Sequence, residues 1–302
     1  MASAGSVNWV TEKDVSRSTP ADLGVAAATA LGLVVWNNVF AARPWHARHY
    51  VLGNLMGTAA LFTVAHQRGA SAHELGLSSR RVAAGARAGV AVSAPIMVIW
   101  ALAALPPNRG RIRDARLVGL TPRAIAYHAA VRVPLGTAVW EEMAFRAVLP
   151  VLLRRVMPAR TASAVNAVVF GLWHVRPTLD VVRLNGIATS RFRRSAAAAG
   201  AVVAGALVDV LFSSLRRSCG SLLGPTLVHI GSNSGGTVAA AVSGPARPRR
   251  DSGGHGPTPH AEPAACLACH SSVRLAWTSD GITVGRAGSG RFRRVVGTED
   301  CS

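Results

Sequence analysis

Apolar residues along this chain gather into long runs separated by short basic connectors, rather than alternating with a period of two. Residues 21–42 form the first run, interrupted only by Asp22 near its start and by Asn37 and Asn38 near its end, and long enough to cross a bilayer as a helix. Residues 50–65, between Arg48 and Arg68, predict a shorter second span in which Gly53, Gly57 and Ala60 permit close helix packing. From 71 to 87 the pattern turns amphipathic, with Leu75, Leu77 and Val82 against Arg80, Arg81 and Arg87, as in an interfacial helix. Residues 89–105 are apolar again, and Pro106-Pro107-Asn108 closes that run. Runs at 125–153, 161–175, 196–215 and 222–242 bring the total to about seven spans by hydropathy. Pro134 and Pro150 predict that 125–153 is kinked or broken, and Gly224-Pro225 suits the start of the last helix.

Composition agrees: half the residues are hydrophobic, 16% are charged, and mean hydropathy is +0.29. The expected fold is all-α, a polytopic transmembrane helical bundle with a disordered C-terminal tail. A net charge of +19 would suggest nucleic acid in a soluble protein, but here the arginines sit between apolar runs and face headgroups, so no nucleic-acid partner is expected. They occupy both sets of alternate loops, so the positive-inside rule does not set an orientation. Residues 1–19 lack the apolar core and cleavage site of a secretory signal. We divide the chain into 1–70, with two spans, 71–243, the functional core, and 244–302, a Gly-, Pro-, Ser- and Arg-rich tail. So abrupt a change is also what a shifted reading frame in a GC-rich gene would produce. The tail carries Cys266-Leu267-Ala268-Cys269-His270, the spacing of c-type haem attachment, but without a surrounding helical domain or an evident axial methionine, so no haem is expected.

Charge inside an apolar run is costly, so 125–153 needs an explanation for Glu141, Glu142 and Arg146. On a helix Glu142 and Arg146 stand one turn apart and can pair, whereas Glu141 is rotated about 100° away and needs another partner. Phe170-Gly171-Leu172-Trp173-His174 and His229-Ile230-Gly231-Ser232-Asn233 each place an imidazole on an apolar helix, the second with Asn233 on the same face. Each has a plain structural reading: helix-end charges, an interfacial histidine beside Arg176, and interhelical hydrogen bonding. Together they supply a carboxylate, two imidazoles and a carboxamide able to converge in a bundle, which is a hydrolytic constellation.

Glu-Glu-x-x-x-Arg at 141–146, Phe-x-x-x-His at 170–174 and His-x-x-x-Asn at 229–233, in that order, resemble the CPBP intramembrane metalloprotease family, which includes type II CAAX prenyl endopeptidases and bacterial Abi proteins. The resemblance covers about 71–242, including Glu74-Leu75-Gly76-Leu77-Ser78, similar to the segment preceding a span in that family. It implies an endopeptidase in a bacterial plasma membrane acting on a membrane-protein segment or a lidipated or leader peptide. Glu141 would be general base on a water positioned by His174, with His229 and Asn233 facing the carbonyl oxygen. Glu142 would be braced by Arg146 or share the water, and Phe170 would lend support. Glu141, His174 and His229 would also serve as a zinc set with an open position, while a metal-free water fits the same residues. The rival classes are a non-catalytic scaffold or immunity-type pseudoenzyme, and a small transporter, which would more naturally show inverted repeats.

Overall fold

The computed structural model describes residues 18–106, 108, 114–184 and 190–243, and the backbone of 273–278 and 281–286. Helix α1, Pro20–Phe40, starts at Thr19, whose hydroxyl accepts from Asp22 N–H while the Asp22 carboxylate accepts from Thr19 N–H. This reciprocal pairing satisfies donors that a helix start leaves open, and Pro20 lacks one of them. A short helix α2, Pro44–Arg48, leads into α3, Tyr50–Gln67. After α4, Ser79–Ala104, come the long broken helix α5 over 122–156, then α6, Ala159–Trp173, and α7, Val175–Leu184. Helix α8, Arg191–Cys219, stops at Gly220, whose left-handed φ of 67° lets its N–H reach the Arg216 carbonyl. Helix α9, Leu223–Ser243, lies along α4 and closes on α5.

The interfacial helix expected over 71–87 is corrected. Glu74 accepts from the backbone and hydroxyl of Ser71, Gly76 adopts a φ of 75°, and helical structure begins only at Ser79. A left-handed residue ends any helix trying to pass through it, and the turn instead buries Leu75 in the core.

Helix α5 departs from α geometry on either side of the acidic pair. Pro134 has no N–H to give, and the ladder widens to π spacing over His128–Ala138, where Val139 N–H bonds the Pro134 carbonyl. One α turn, Val139–Glu142, follows before a second wide segment, Met143–Val148, which ends just ahead of Pro150. The expected kinked helix is therefore a helix re-phased twice.

The outer faces of the helices carry large apolar side chains, while a few charged residues are buried between them. Leu31, Met56, Ile99, Leu207 and Leu211 are exposed on the outer faces, whereas Glu142, Arg146 and Asp209 are buried. Such an arrangement suits lipid rather than water around the bundle. Among the described residues, three helices are long and apolar enough to cross a membrane by themselves: Pro20–Phe40, Ser79–Ala104 and Arg191–Cys219. The other predicted runs are helical as well, but α6 has only 15 residues. At 1.5 Å each these span about 22 Å, short of a hydrocarbon core of about 30 Å. The length and apolar outer faces of the three spanning helices mark an integral membrane protein.

Two close contacts set where the helices meet. Gly57 of α3 makes room for the Trp140 indole, which a Cβ would approach to 2.8 Å. Where α6 crosses α8, a Cβ on Gly171 would overlap the Val202 carbonyl, and one on Gly205 would come within 2.8 Å of the Gly171 Cα. In the tail, described as a separate unit, an antiparallel hairpin pairs β1, Val273–Thr278, with β2, Gly281–Arg286, placing Leu275 opposite Val284 and Trp277 opposite Ile282. This is the regular structure among the tail's described residues, and Cys266, Cys269 and His270 lie outside them.

Replacing Gly205 by Leu should force α6 and α8 apart and lower the thermal midpoint in detergent, with a loss of about 1–3 kcal/mol or more. Gly200→Leu on the same helix, where a Cβ meets nothing within 4 Å, should leave the midpoint unchanged or raise it slightly.

Candidate active site

The single α turn between the two wide segments presents Glu141 and Glu142 to different partners in the same interior. Glu142 is fully buried and its Oε1 lies 2.8 Å from His229 Nδ1, tying α5 to α9. Glu141 Oε1 accepts from Trp173 Nε1 at 3.1 Å, tying α5 to α6. Its other oxygen, Oε2, lies 3.9 Å from His174 Nε2 and 3.8 Å from His229 Nε2.

The far nitrogens of these rings determine what the near ones offer. His174 Nδ1 is 2.8 Å from the Phe170 carbonyl, which can only accept, so Nδ1 carries the proton. His229 Nδ1 likewise donates to the Glu142 carboxylate. In their neutral forms both rings therefore turn an Nε2 lone pair toward Glu141 Oε2. Three acceptors face one small volume, and they are compatible only if a proton donor or a cation lies among them. An imidazole held from behind by a carbonyl or carboxylate is also the arrangement that fixes a metal-binding or proton-accepting tautomer.

The donor types suit zinc, but the spacing is wide. Two ligands on one tetrahedral zinc, with bonds of about 2.0–2.2 Å, stand about 3.3–3.6 Å apart, less than the 3.8 and 3.9 Å here. Among the described residues, no group of three or more His, Cys, Asp or Glu side chains is placed to hold a metal ion.

Behind Glu142 lies Arg146, one turn along, with Nε 3.5 Å from Glu142 Oε2 and Nη2 3.6 Å from Asp209 Oδ1 on α8. The guanidinium makes no hydrogen bond within the described structure and is enclosed by Phe170 and Phe212, whose ring centres are 4.1 and 5.1 Å away. Asn166 Nδ2 donates to both Asp209 oxygens, at 2.9 and 3.0 Å, and to the Phe145 carbonyl at 3.1 Å.

Thus Glu141, Glu142, Arg146, Phe170, His174 and His229 are brought together. Asn233 is exposed one turn beyond His229, and its carboxamide oxygen accepts from Ser232 Oγ at 3.2 Å. Residues that the motifs did not announce complete the site. In the sequence Asp209 is simply the one carboxylate of the apolar run 196–215, and Trp173 and Asn166 have the character of ordinary helix residues.

Residues 123–235 match the family of type II CAAX prenyl endopeptidases described as Rce1-like. That segment is a CPBP-family domain. No curated protein and no solved structure matches the chain. The CPBP match encloses all the motif residues but begins after α1–α4.

The helices ahead of the CPBP segment nevertheless support its site. Asn37 Nδ2 donates to the Trp173 carbonyl at 2.7 Å and Asn38 Nδ2 to the Leu172 carbonyl at 3.0 Å, while Asn38 Oδ1 accepts from Arg176 N–H at 2.9 Å. These bonds satisfy carbonyls that the end of α6 leaves open, at the residues carrying Trp173 and His174. Asn54 similarly donates to the Gly136 carbonyl at 2.7 Å, in the wide part of α5, and accepts from Trp36 Nε1 at 3.3 Å.

The double substitution Asn37→Ala with Asn38→Ala should release the end of α6 while leaving insertion intact. Hydrogen exchange at 172–176 should quicken and turnover of a cleaved substrate should fall by about tenfold, as expected when reacting groups are misplaced. Unchanged exchange there would contradict the clamp.

Proposed function

We propose that this CPBP protein is an intramembrane endopeptidase of the bacterial plasma membrane, cleaving a peptide bond in a lipidated or membrane-associated peptide with water activated by Glu141. Its family supplies the coarser statement, that the domain is a CAAX-type membrane protease. The observation that carries the finer reading is the convergence of His174 Nε2 and His229 Nε2 on Glu141 Oε2, at 3.9 and 3.8 Å.

A water held among these atoms gives its proton to Glu141 as its oxygen bonds the scissile carbonyl carbon. The carbonyl π electrons move to oxygen. When the tetrahedral species collapses the C–N bond breaks, and the proton on Glu141 passes to the leaving nitrogen. Trp173 fixes Oε1, so the free Oε2 does the work. Glu142 keeps His229 in the tautomer that faces the reaction and favours its protonated form as negative charge develops. Asn233 Nδ2, outside the bond that its oxygen makes to Ser232, is the donor we assign to the oxyanion.

Zinc is the second reading, favoured by the three facing acceptors. A bound zinc would supply Lewis-acid polarisation and a more acidic water, with Glu141, His174 and His229 as its holders. Closure of the present spacing would have to accompany its binding.

Cleavage of a model membrane substrate by Glu141→Gln, His174→Ala and His229→Ala proteins, at matched expression, tests the reading. Each should lose on the order of a hundredfold to a thousandfold or more. The double variant Glu141→Gln with His229→Ala should be hardly worse than either single one, because the groups serve one step. Loss of activity on chelation with restoration by zinc would select the metal reading. Wild-type cleavage by Glu141→Gln would remove the catalytic assignment of Glu141, and no cleavage by the wild-type protein would leave a non-catalytic scaffold.

A further inference from the structure

Beyond the catalytic cluster, arginines from two helix ends meet at one cleft. Arg154 comes from the last turn of α5 and Arg216 and Arg217 from the last turn of α8, while Arg146 forms part of the inner lining and Ser163 of α6 part of the wall. Arg154 lies within electrostatic range of Arg217, and Arg216 within range of Arg154. The negative end of a helix dipole accounts for arginines at each terminus, but not for their convergence on the same cleft.

Among its described residues the lining carries one carboxylate. Its carboxylate, Glu74, is engaged through Oε2 with the backbone and hydroxyl of Ser71. Arg216 is 6% exposed and donates through Nη2 to the Glu74 backbone carbonyl at 3.0 Å, yet its Nε has no hydrogen-bond partner within the described structure. Arg146 has ion-pair contacts to Glu142 and Asp209 but no hydrogen bond. Buried guanidinium donors without acceptors are costly, and the two here, Arg216 Nε and the Arg146 guanidinium, point to an anion at the cleft.

We propose that this cleft binds an anionic phosphate group. A phosphate offers several acceptor oxygens to a fork of guanidinium donors and offsets the mutual repulsion of the arginines. The position suits a lipid headgroup, because the apolar run of α8, one of the candidate spans, ends at these arginines. Free phosphate shares the same chemistry. The inference stands independently of the protease reading.

The test uses the full-length protein delipidated in an uncharged detergent. Native mass spectrometry would follow binding of phosphatidylglycerol against phosphatidylcholine, whose quaternary amine neutralises its headgroup, and calorimetry would follow inorganic phosphate. The variants are Arg217→Gln, an exposed position that should not disturb folding, and Arg154→Gln with Arg217→Gln, each checked by circular dichroism. Wild type should prefer phosphatidylglycerol, and the double variant should bind it about tenfold more weakly, with Arg217→Gln intermediate. Phosphatidylglycerol binding without phosphate binding assigns the site to a lipid headgroup, and binding of both that the variants weaken assigns it to phosphate in general. Binding by folded Arg217→Gln equal to wild type, or no binding of phosphate and no preference between the lipids, overturns the proposal.

Discussion

Arg146 lies between Glu142 and Asp209, and this buried cation is what lets carboxylates from α5 and α8 share an interior enclosed by apolar helices. Removing such charges from water costs several kcal/mol per ion. An attraction across 3.5 Å, at an effective dielectric constant of about 20, is about 5 kcal/mol, of the same order. The ion pairs therefore roughly offset their own burial and contribute little net stability. Their effect is positional. Glu142, held by Arg146, holds His229; Asp209, held by Arg146 and Asn166, fixes α8 where it crosses α6.

That crossing explains why small residues and charges occur together. Gly171 and Gly205 bring α6 and α8 into backbone contact, and Asp209 sits one turn beyond Gly205, beside Asn166 of α6. The wide turns of α5 do the complementary work on the other side, since a uniform α-helix over 122–156 would give the acidic pair a different phase relative to Arg146 and the aromatic cluster. Trp140, Trp173, Phe145 and Phe170 fill the space between, with the Phe145 and Phe170 rings 4.9 Å apart. The polar centre is thereby enclosed by rings, apart from the half-buried His174.

Much of this was legible in the sequence. Apolar runs predicted the helices, Pro134 the interruption of α5, and Gly57 a close contact, because hydrophobicity and backbone chemistry are written locally. The carboxylate and imidazole motifs name side chains that lie near one another in the fold, whereas the carboxamide Asn233 is exposed one turn away. What was not legible depends on pairing between distant helices. Asn37 and Asn38 read as blemishes in a span, although their carboxamides are the caps of α6. Asp209 had no visible partner because Arg146 and Asn166 lie 63 and 43 residues earlier in the chain. The π spacing around Glu141 leaves no residue signature beyond the prolines, and the positive φ of Gly76 turned an amphipathic pattern into a capped turn.

Whether the buried ions position the site rather than stabilise the bundle is tested most directly by a comparison of two variants. Thermal unfolding in detergent and substrate cleavage would be measured for Arg146→Met and for Arg146→Met combined with Glu142→Gln and Asp209→Asn. The single substitution strands two buried carboxylates and should cost about 3–5 kcal/mol, whereas the neutral triple variant should recover most of that stability. The triple variant should still fail to cleave, because Glu142 no longer holds His229 as a carboxylate. A triple variant no more stable than Arg146→Met, or one that cleaves like wild type, would contradict the account.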